Sequence, residues 1–115
     1  MAKQSDTLLE TVERLITALN AFRVSEVQSL FTVDAVIDDP STGQKFIGQA
    51  GIRDYVERYF AGYRTVTRFL SLDDVGDGRA RLRVDFTGDF GHEVGLLVTK
   101  IDGTGLISRI DADLE

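Results

Sequence analysis

The sequence predicts an α+β protein, with three N-terminal helices packed on one face of a curved, mainly antiparallel sheet. Two observations predict it. Apolar residues recur at helical spacing in three stretches before Tyr63, and beyond it they alternate along four strand-length segments separated by glycine-containing turns. Within most of those segments one face is consistently apolar, as a single covering layer of helices requires.

The first helix is predicted from Leu8 to Phe22, where Leu8, Leu9, Val12, Leu15, Ile16, Leu19 and Phe22 share a face and Ser5 or Asp6 can cap the start. A short second helix begins at Ser25, where "SEVQ" reads as a capping box with Gln28 reaching back, and Val27, Leu30 and Phe31 form its buried edge. "AVIDDP" then reads as a short strand, "STGQ" as a turn and "KFI" as a brief return strand. The third helix, "GQAGIRDYVERYFAGY", carries Ile52, Tyr55, Val56, Tyr59, Phe60 and Tyr63 on one stripe. It pairs Arg53 with Glu57 on its wet side and ends at Gly62.

Four strands follow, divided by "DDVGDG", "GDFG" and "DGTG". From Arg79 to Thr87, the residues Ala80, Leu82, Val84 and Phe86 lie on one face, and Arg79, Arg81, Arg83 and Asp85 on the other, where the arginines read as solvated. In the last strand Leu106, Ser108, Ile110, Ala112 and Leu114 alternate with Asp111 and Asp113, which therefore face out. The strand from Val94 to Ile101 differs. Leu97 and Ile101 face one way, Val94, Leu96 and Val98 the other, so both faces are apolar. Helices on one side cover one face, and the other needs a partner, most simply a second copy. A homodimer through the outer sheet face is expected.

Composition narrows the function classes. A chain of 115 residues, 43% hydrophobic and 28% charged, fits one folded domain over residues 1–115 without disulfides or a structural metal. The absence of cysteine excludes thiolate nucleophiles and cysteine zinc sites, and fits a cytoplasmic protein. "MAKQSDTLLE" does not read as a signal peptide, and no apolar run approaches the roughly 20 residues of a membrane span, so no membrane partner is expected. A net charge of −6 disfavours nucleic acid. His92 is the one histidine, and no glycine-rich turn joins a strand to a helix, so no metal and no other cofactor is expected.

The stretch that suggests chemistry is "AVIDDPSTGQKFIG", Ala35 to Gly48. A strand alternates its side chains, so only one of Asp38 and Asp39 can point inward. Pro40 biases the residue before it toward an extended backbone, which fixes the direction of the Asp39 side chain and leaves Asp38 in water. A carboxylate facing an apolar cavity has its charged form disfavoured, which makes it a better base. An Asp before Pro also serves to cap a turn, and the residues alone leave both uses open.

Helices around a short strand pair, followed by a run of antiparallel strands, resemble the nuclear transport factor 2-like fold, an α+β cone. "ALNAF", "LFTVDAVIDDP" and "GQAGIRDYVERYF" are similar to the first half of the bacterial ketosteroid isomerases, and "F-x-x-D-A" and "G-x-x-x-I-R" recur in SnoaL-like polyketide cyclases. The resemblance implies that Asp39 is the catalytic base. It also shows a departure. In the isomerases a tyrosine and a protonated aspartic acid stabilise the developing oxyanion, and here those positions fall on Leu15 and Leu97, while a supporting tyrosine becomes Val56. Two lost donors remove about 6 kcal/mol of transition-state stabilisation if they add, or some four decades in rate, so steroid isomerase activity is expected to be weak or absent.

Two functions stay open. One is an enzyme using Asp39 as general acid/base on a small hydrophobic substrate, in a pocket lined by Leu15, Tyr55, Val56, Tyr59, Val84, Phe86, Leu97 and Ile110. The other is a non-catalytic module of the same fold that binds a hydrophobic ligand or dimerises. Glu93 shares its strand face with Leu97 and reads more readily as an exposed edge residue than as a second cavity carboxylate near the rim, and His92 lies on the opposite face.

Overall fold

The computed structural model describes residues 4–114, with side chains from residue 7 onward. The described residues form α1 (Gln4–Asn20), α2 (Val24–Ser29), β1 (Phe31–Asp39), a 3-10 turn (Pro40–Thr42), β2 (Gln44–Ile47) and α3 (Gly48–Val56). A π turn (Glu57–Ala61) continues α3, and β3 (Val66–Gly76), β4 (Arg79–Gly88), β5 (Gly91–Ile101) and β6 (Ile107–Leu114) complete the chain. The strands make one sheet in the order β2-β1-β6-β5-β4-β3, in which only the β1–β6 pair is parallel.

The helices are not a continuous N-terminal block, because the β1–β2 hairpin stands between α2 and α3. That hairpin reverses the chain and lets α3 pack back over β1. The core lies between the helices and the inner sheet face. Leu8, Val12, Leu15 and Leu19 of α1, with Ile52 and Val56 of α3, are buried there with Ile37, Leu82, Val84, Leu97 and Ile110 of the strands. No helix among the described residues is long and apolar enough to cross a membrane.

Several local details differ from expectation. α1 stops at Asn20, not Phe22, and Ser5 and Asp6 fall inside it, their side chains outside the described residues. Arg23 N donates to Ala18 O and Phe22 N to Leu19 O, both at 3.1 Å, which is a Schellman ending with Phe22 in the left-handed position at φ 55. The turn leaves Phe22 exposed, off the helical face. Asn20 then fastens this end of α1 to the sheet, accepting from Thr67 N at 2.7 Å and donating to Thr67 O at 2.9 Å.

α2 begins at Val24 and has no side-chain cap. Gln28 does not reach back. Its amide donates to Gln49 O at 2.9 Å, and Gln49 returns a bond to Gln28 O at 3.2 Å, so two partly buried carbonyls at the α2–α3 junction gain donors. On the outer sheet face Asp38 is not simply in water. Arg109 Nη2 lies 3.3 Å from its carboxylate and 2.9 Å from that of Asp111. On the same face, three strands away on β4, Asp85 is 8% exposed, with Arg68 at 2.9 Å as its ion-pair partner and His92 Nε2 against its other carboxylate oxygen.

Candidate functional site

The inward alternation of β1 runs Ala35, Ile37, Asp39, all buried, and ends on the carboxylate. Asp39 is extended (φ −124, ψ 95), as the following proline demands, and it heads the Pro40–Thr42 turn. Its Oδ1 accepts from Ser41 N at 3.1 Å and Ser41 Oγ at 2.6 Å, and its Oδ2 accepts from the Tyr55 hydroxyl at 2.7 Å. Turn cap and cavity wall are thus the same residue. Three donors offset the cost of burying a carboxylate that is only 9% exposed.

Tyr55 reaches Asp39 from α3. Burial, then the charge of Asp39, its hydrogen bond and Tyr59, push the Tyr55 phenol well above its ordinary 10.0. The hydroxyl therefore remains a donor across the ordinary pH range. One turn on, the helix widens into the π turn, which carries Tyr59 and Phe60 past the same wall. Thr65 Oγ1 donates to the Tyr59 carbonyl at 2.7 Å, satisfying a backbone acceptor at the helix end.

These groups border a cavity of about 340 Å³, within the range of small-molecule sites. Asp39, Ser41, Thr42, Thr65, Glu93 and Leu114 supply part of its lining. Aromatic rings supply the rest: Tyr55, Tyr59, Phe60, Tyr63, Phe86 and Phe90. The rings form a connected set, with centroids 5.5 Å apart for Tyr55–Tyr59, 6.1 Å for Tyr59–Tyr63 and 6.0 Å for both Tyr63–Phe90 and Phe60–Phe86. Phe86 lies over Gly95 in β5, where an added Cβ would sit 2.5 Å from the ring.

The residues named from the sequence divide between two places. Asp39, Tyr55, Tyr59 and Phe86 line this cavity. Leu15, Val56, Leu97 and Ile110 surround a separate void of about 20 Å³, which Tyr55 and Phe60 also border and which is too small for more than one water. Val84, fully buried, lines neither. The side chains at the three altered positions thus pack as core. Glu93 pairs in register with Phe86 on the inner face and lines the cavity, while His92 points to the outer face beside Asp85.

Sequence reasoning did not place Ser41, Thr42, Phe60, Tyr63, Thr65, Phe90 or Leu114 at the site. Ser41 had a local signal, since a hydroxyl directly after Asp-Pro can return to the aspartate. Phe90 had none, because its turn packs onto Tyr63 through a tertiary contact. Among the described residues no group of three or more His, Asp or Glu is arranged to hold a metal ion.

Comparison with solved structures places the fold among known ones. A Kribbella flavida protein assigned as a ketosteroid isomerase superposes with a TM-score of 0.82 at 19% identity, over 96% of this chain and 78% of that one. A Sinorhizobium meliloti protein assigned as a polyketide cyclase gives 0.82 at 20% identity, over 90% and 94%. Bal32a, from a soil-derived mobile gene cassette, gives 0.87 at 17% identity, over 97% and 92%. No curated protein matches the sequence. A family model does, over residues 12–107, and with the three-helix, six-strand architecture around Asp39 it establishes that this chain belongs to the SnoaL-like domain family.

Proposed function

We propose that the protein takes a small, largely hydrophobic molecule into the aromatic cavity and that Asp39 acts on it as general acid/base, in an isomerisation, dehydration or cyclisation. The observation that carries this reading is the Asp39 carboxylate itself, turned inward at the cavity wall and held by Tyr55 and Ser41. Proton transfer needs a group held within about 2.6–3.2 Å of the proton's heavy atom in a fixed direction, and three hydrogen bonds supply that direction. Tyr59 and Tyr63 line the same space, and in this reading their hydroxyls are the donors offered to a developing oxyanion. They stand elsewhere than Leu15 and Leu97, so turnover of a 5-ene-3-ketosteroid remains weak or absent.

The test does not require the natural substrate. In deuterated water, NMR follows exchange of the protons beside the carbonyl of a small apolar ketone, 2-tetralone. Wild type accelerates the exchange and Asp39→Asn does not. Equal rates with the two proteins would remove the acid/base role. A second reading, a hydrophobic-ligand-binding or dimerisation module without catalysis, draws on Leu15, Val56 and Leu97, which fill the depth of the cone with aliphatic side chains. It expects ligand binding with no exchange.

The working form in this proposal is a cytoplasmic homodimer joined through the outer sheet face. Val94, Leu96 and Val98 run half-buried along β5 between two charged rows. Asp111 and Asp113 of β6 stand in register beside Val98 and Leu96, and Arg81 and Arg83 of β4 stand on their other side. A two-fold axis parallel to β5 lays the basic row of one copy over the acidic row of the other, which favours self-association.

A further inference from the structure

The cavity lining is one-sided in its chemistry. It contains the carboxylates of Asp39 and Glu93 and no lysine, arginine or histidine. Most of its hydroxyl donors are committed to the protein. Ser41 Oγ and Tyr55 donate to the Asp39 carboxylate, Thr42 Oγ1 to the Asp39 carbonyl at 2.7 Å, and Thr65 Oγ1 to the Tyr59 carbonyl. What lines the space beside those committed hydroxyls is two carboxylates and six aromatic rings.

We propose that the molecule this cavity takes is an organic cation, an apolar body bearing a protonated or quaternary amine. The proposal rests on the small-molecule reading above and specifies its ligand class. The charge sits on the exposed side, where Glu93 and the edge-to-face pair Tyr63–Phe90, with ring planes at 85°, line the same cavity. The apolar body lies inward against Tyr59, Phe60 and Phe86, toward Asp39. A cation is attracted to a ring face and to a carboxylate by the same sign of field, so the two kinds of lining reinforce each other. An anion meets two like charges, and a neutral molecule gains from the rings alone.

The rim is built to hold its rings in place. Phe90 folds back over Gly88, where an added Cβ would lie 2.8 Å from the Phe90 ring and 2.8 Å from the Tyr63 carbonyl. The same aromatic set already accepts one cation from outside: Arg58, ion-paired to Asp54 at 3.3 Å, stacks with its Cζ 5.3 Å from the Tyr59 centroid. Arg58 is not among the residues lining the cavity.

Three matched probes test this: 2-naphthylmethylamine, 2-naphthylmethanol and 2-naphthoate, titrated by NMR at near-neutral pH. The expected order is amine tighter than alcohol by tenfold or more, with naphthoate weakest and the largest amine shifts at Glu93, Tyr63 and Phe90. Glu93→Gln should weaken the amine about fivefold and leave the alcohol unchanged, and Tyr63→Leu should reduce amine preference without unfolding a residue already exposed. Alcohol or naphthoate binding as tightly as the amine, or an amine-to-alcohol ratio unmoved by both variants, overturns the cation proposal alone. No binding of any probe to the folded protein overturns it together with the pocket reading beneath it.

Discussion

Tyr55 and Asp39, 16 residues apart, meet through one hydrogen bond of 2.7 Å that joins the third helix to the end of the first strand. The bond helps set the orientation of the carboxylate and commits the Tyr55 hydroxyl to the protein. Tyr55→Phe keeps the ring and removes the bond. We expect a loss of about 1–2 kcal/mol, seen as a melting temperature lower by several degrees, with the fold retained. Ketone exchange should fall with it, because Asp39 loses one of the groups that aim it. An unchanged melt and an unchanged exchange rate would show the bond to be incidental.

The same bond has an alkaline consequence. Tyr55 holds its proton above the ordinary value of 10.0, so the folded chain retains a proton that the unfolded chain has already released. Stability from this group is complete below about pH 10 and declines as pH rises above it toward the folded value. Denaturant titrations at stepwise higher pH should show a steeper decline in wild type than in Tyr55→Phe. In an ultraviolet titration one of the three tyrosines should ionise after the others.

Gly95 faces Phe86 at a distance no side chain can share: a Cβ there would lie 2.5 Å from the ring and 3.5 Å from the Asp113 carbonyl. Gly95→Ala should therefore turn the Phe86 ring into the cavity, at a cost of about 1–3 kcal/mol. Probe affinity should fall by tenfold or more with the remaining lining unchanged. A crystal structure of the variant with Phe86 in its original place would refute this.

For the outer face, analytical ultracentrifugation of wild type should give a dimer at micromolar concentration. Leu96→Glu, which sets a like charge beside Asp113 in the centre of that face, should give a folded monomer with an unaltered circular dichroism spectrum. A monomeric wild type sinks the dimer.

Much of this organisation was legible in the sequence because it follows from periodicity. The stripe from Ile52 to Phe60 and the alternation from Ala80 to Phe86 each bury one face, and a buried face writes itself into residue order. The inward direction of Asp39 was legible for the same reason, aided by Pro40. What the order could not show were relations across the fold. The spacing puts Tyr55 on the inner stripe of α3 and in the pocket wall, yet its engagement with Asp39 depends on how α3 lies over β1. Phe22 fits the helical period, but the turn after Asn20 takes it away from the core. Gln28 had the spacing of a capping box and found a nearer carbonyl on Gln49. The division of the interior into a filled depth at Leu97 and an open side at Phe86 depends on packing volumes, which no one-dimensional pattern carries.

The parallel pairing of β1 with β6 bears on how the site comes into being. Ile37 stands in register with Ile110, so the strand that ends in Asp39 is flanked on one side by a strand made some seventy residues after it. The β1–β2 hairpin and the β3–β4–β5 meander consist of neighbours in sequence and can assemble as they are made. The seam between them closes only when β6 arrives, because a contact across such a separation gains nothing until the intervening chain has been ordered. A nascent chain halted before Ile107 would carry Asp39 and all six rings of the cavity, yet leave one edge of β1 bare and ready to pair with another strand. Maturation of the pocket therefore waits on β6, and a ligand that binds the finished cavity would act as a late brace on the closing seam.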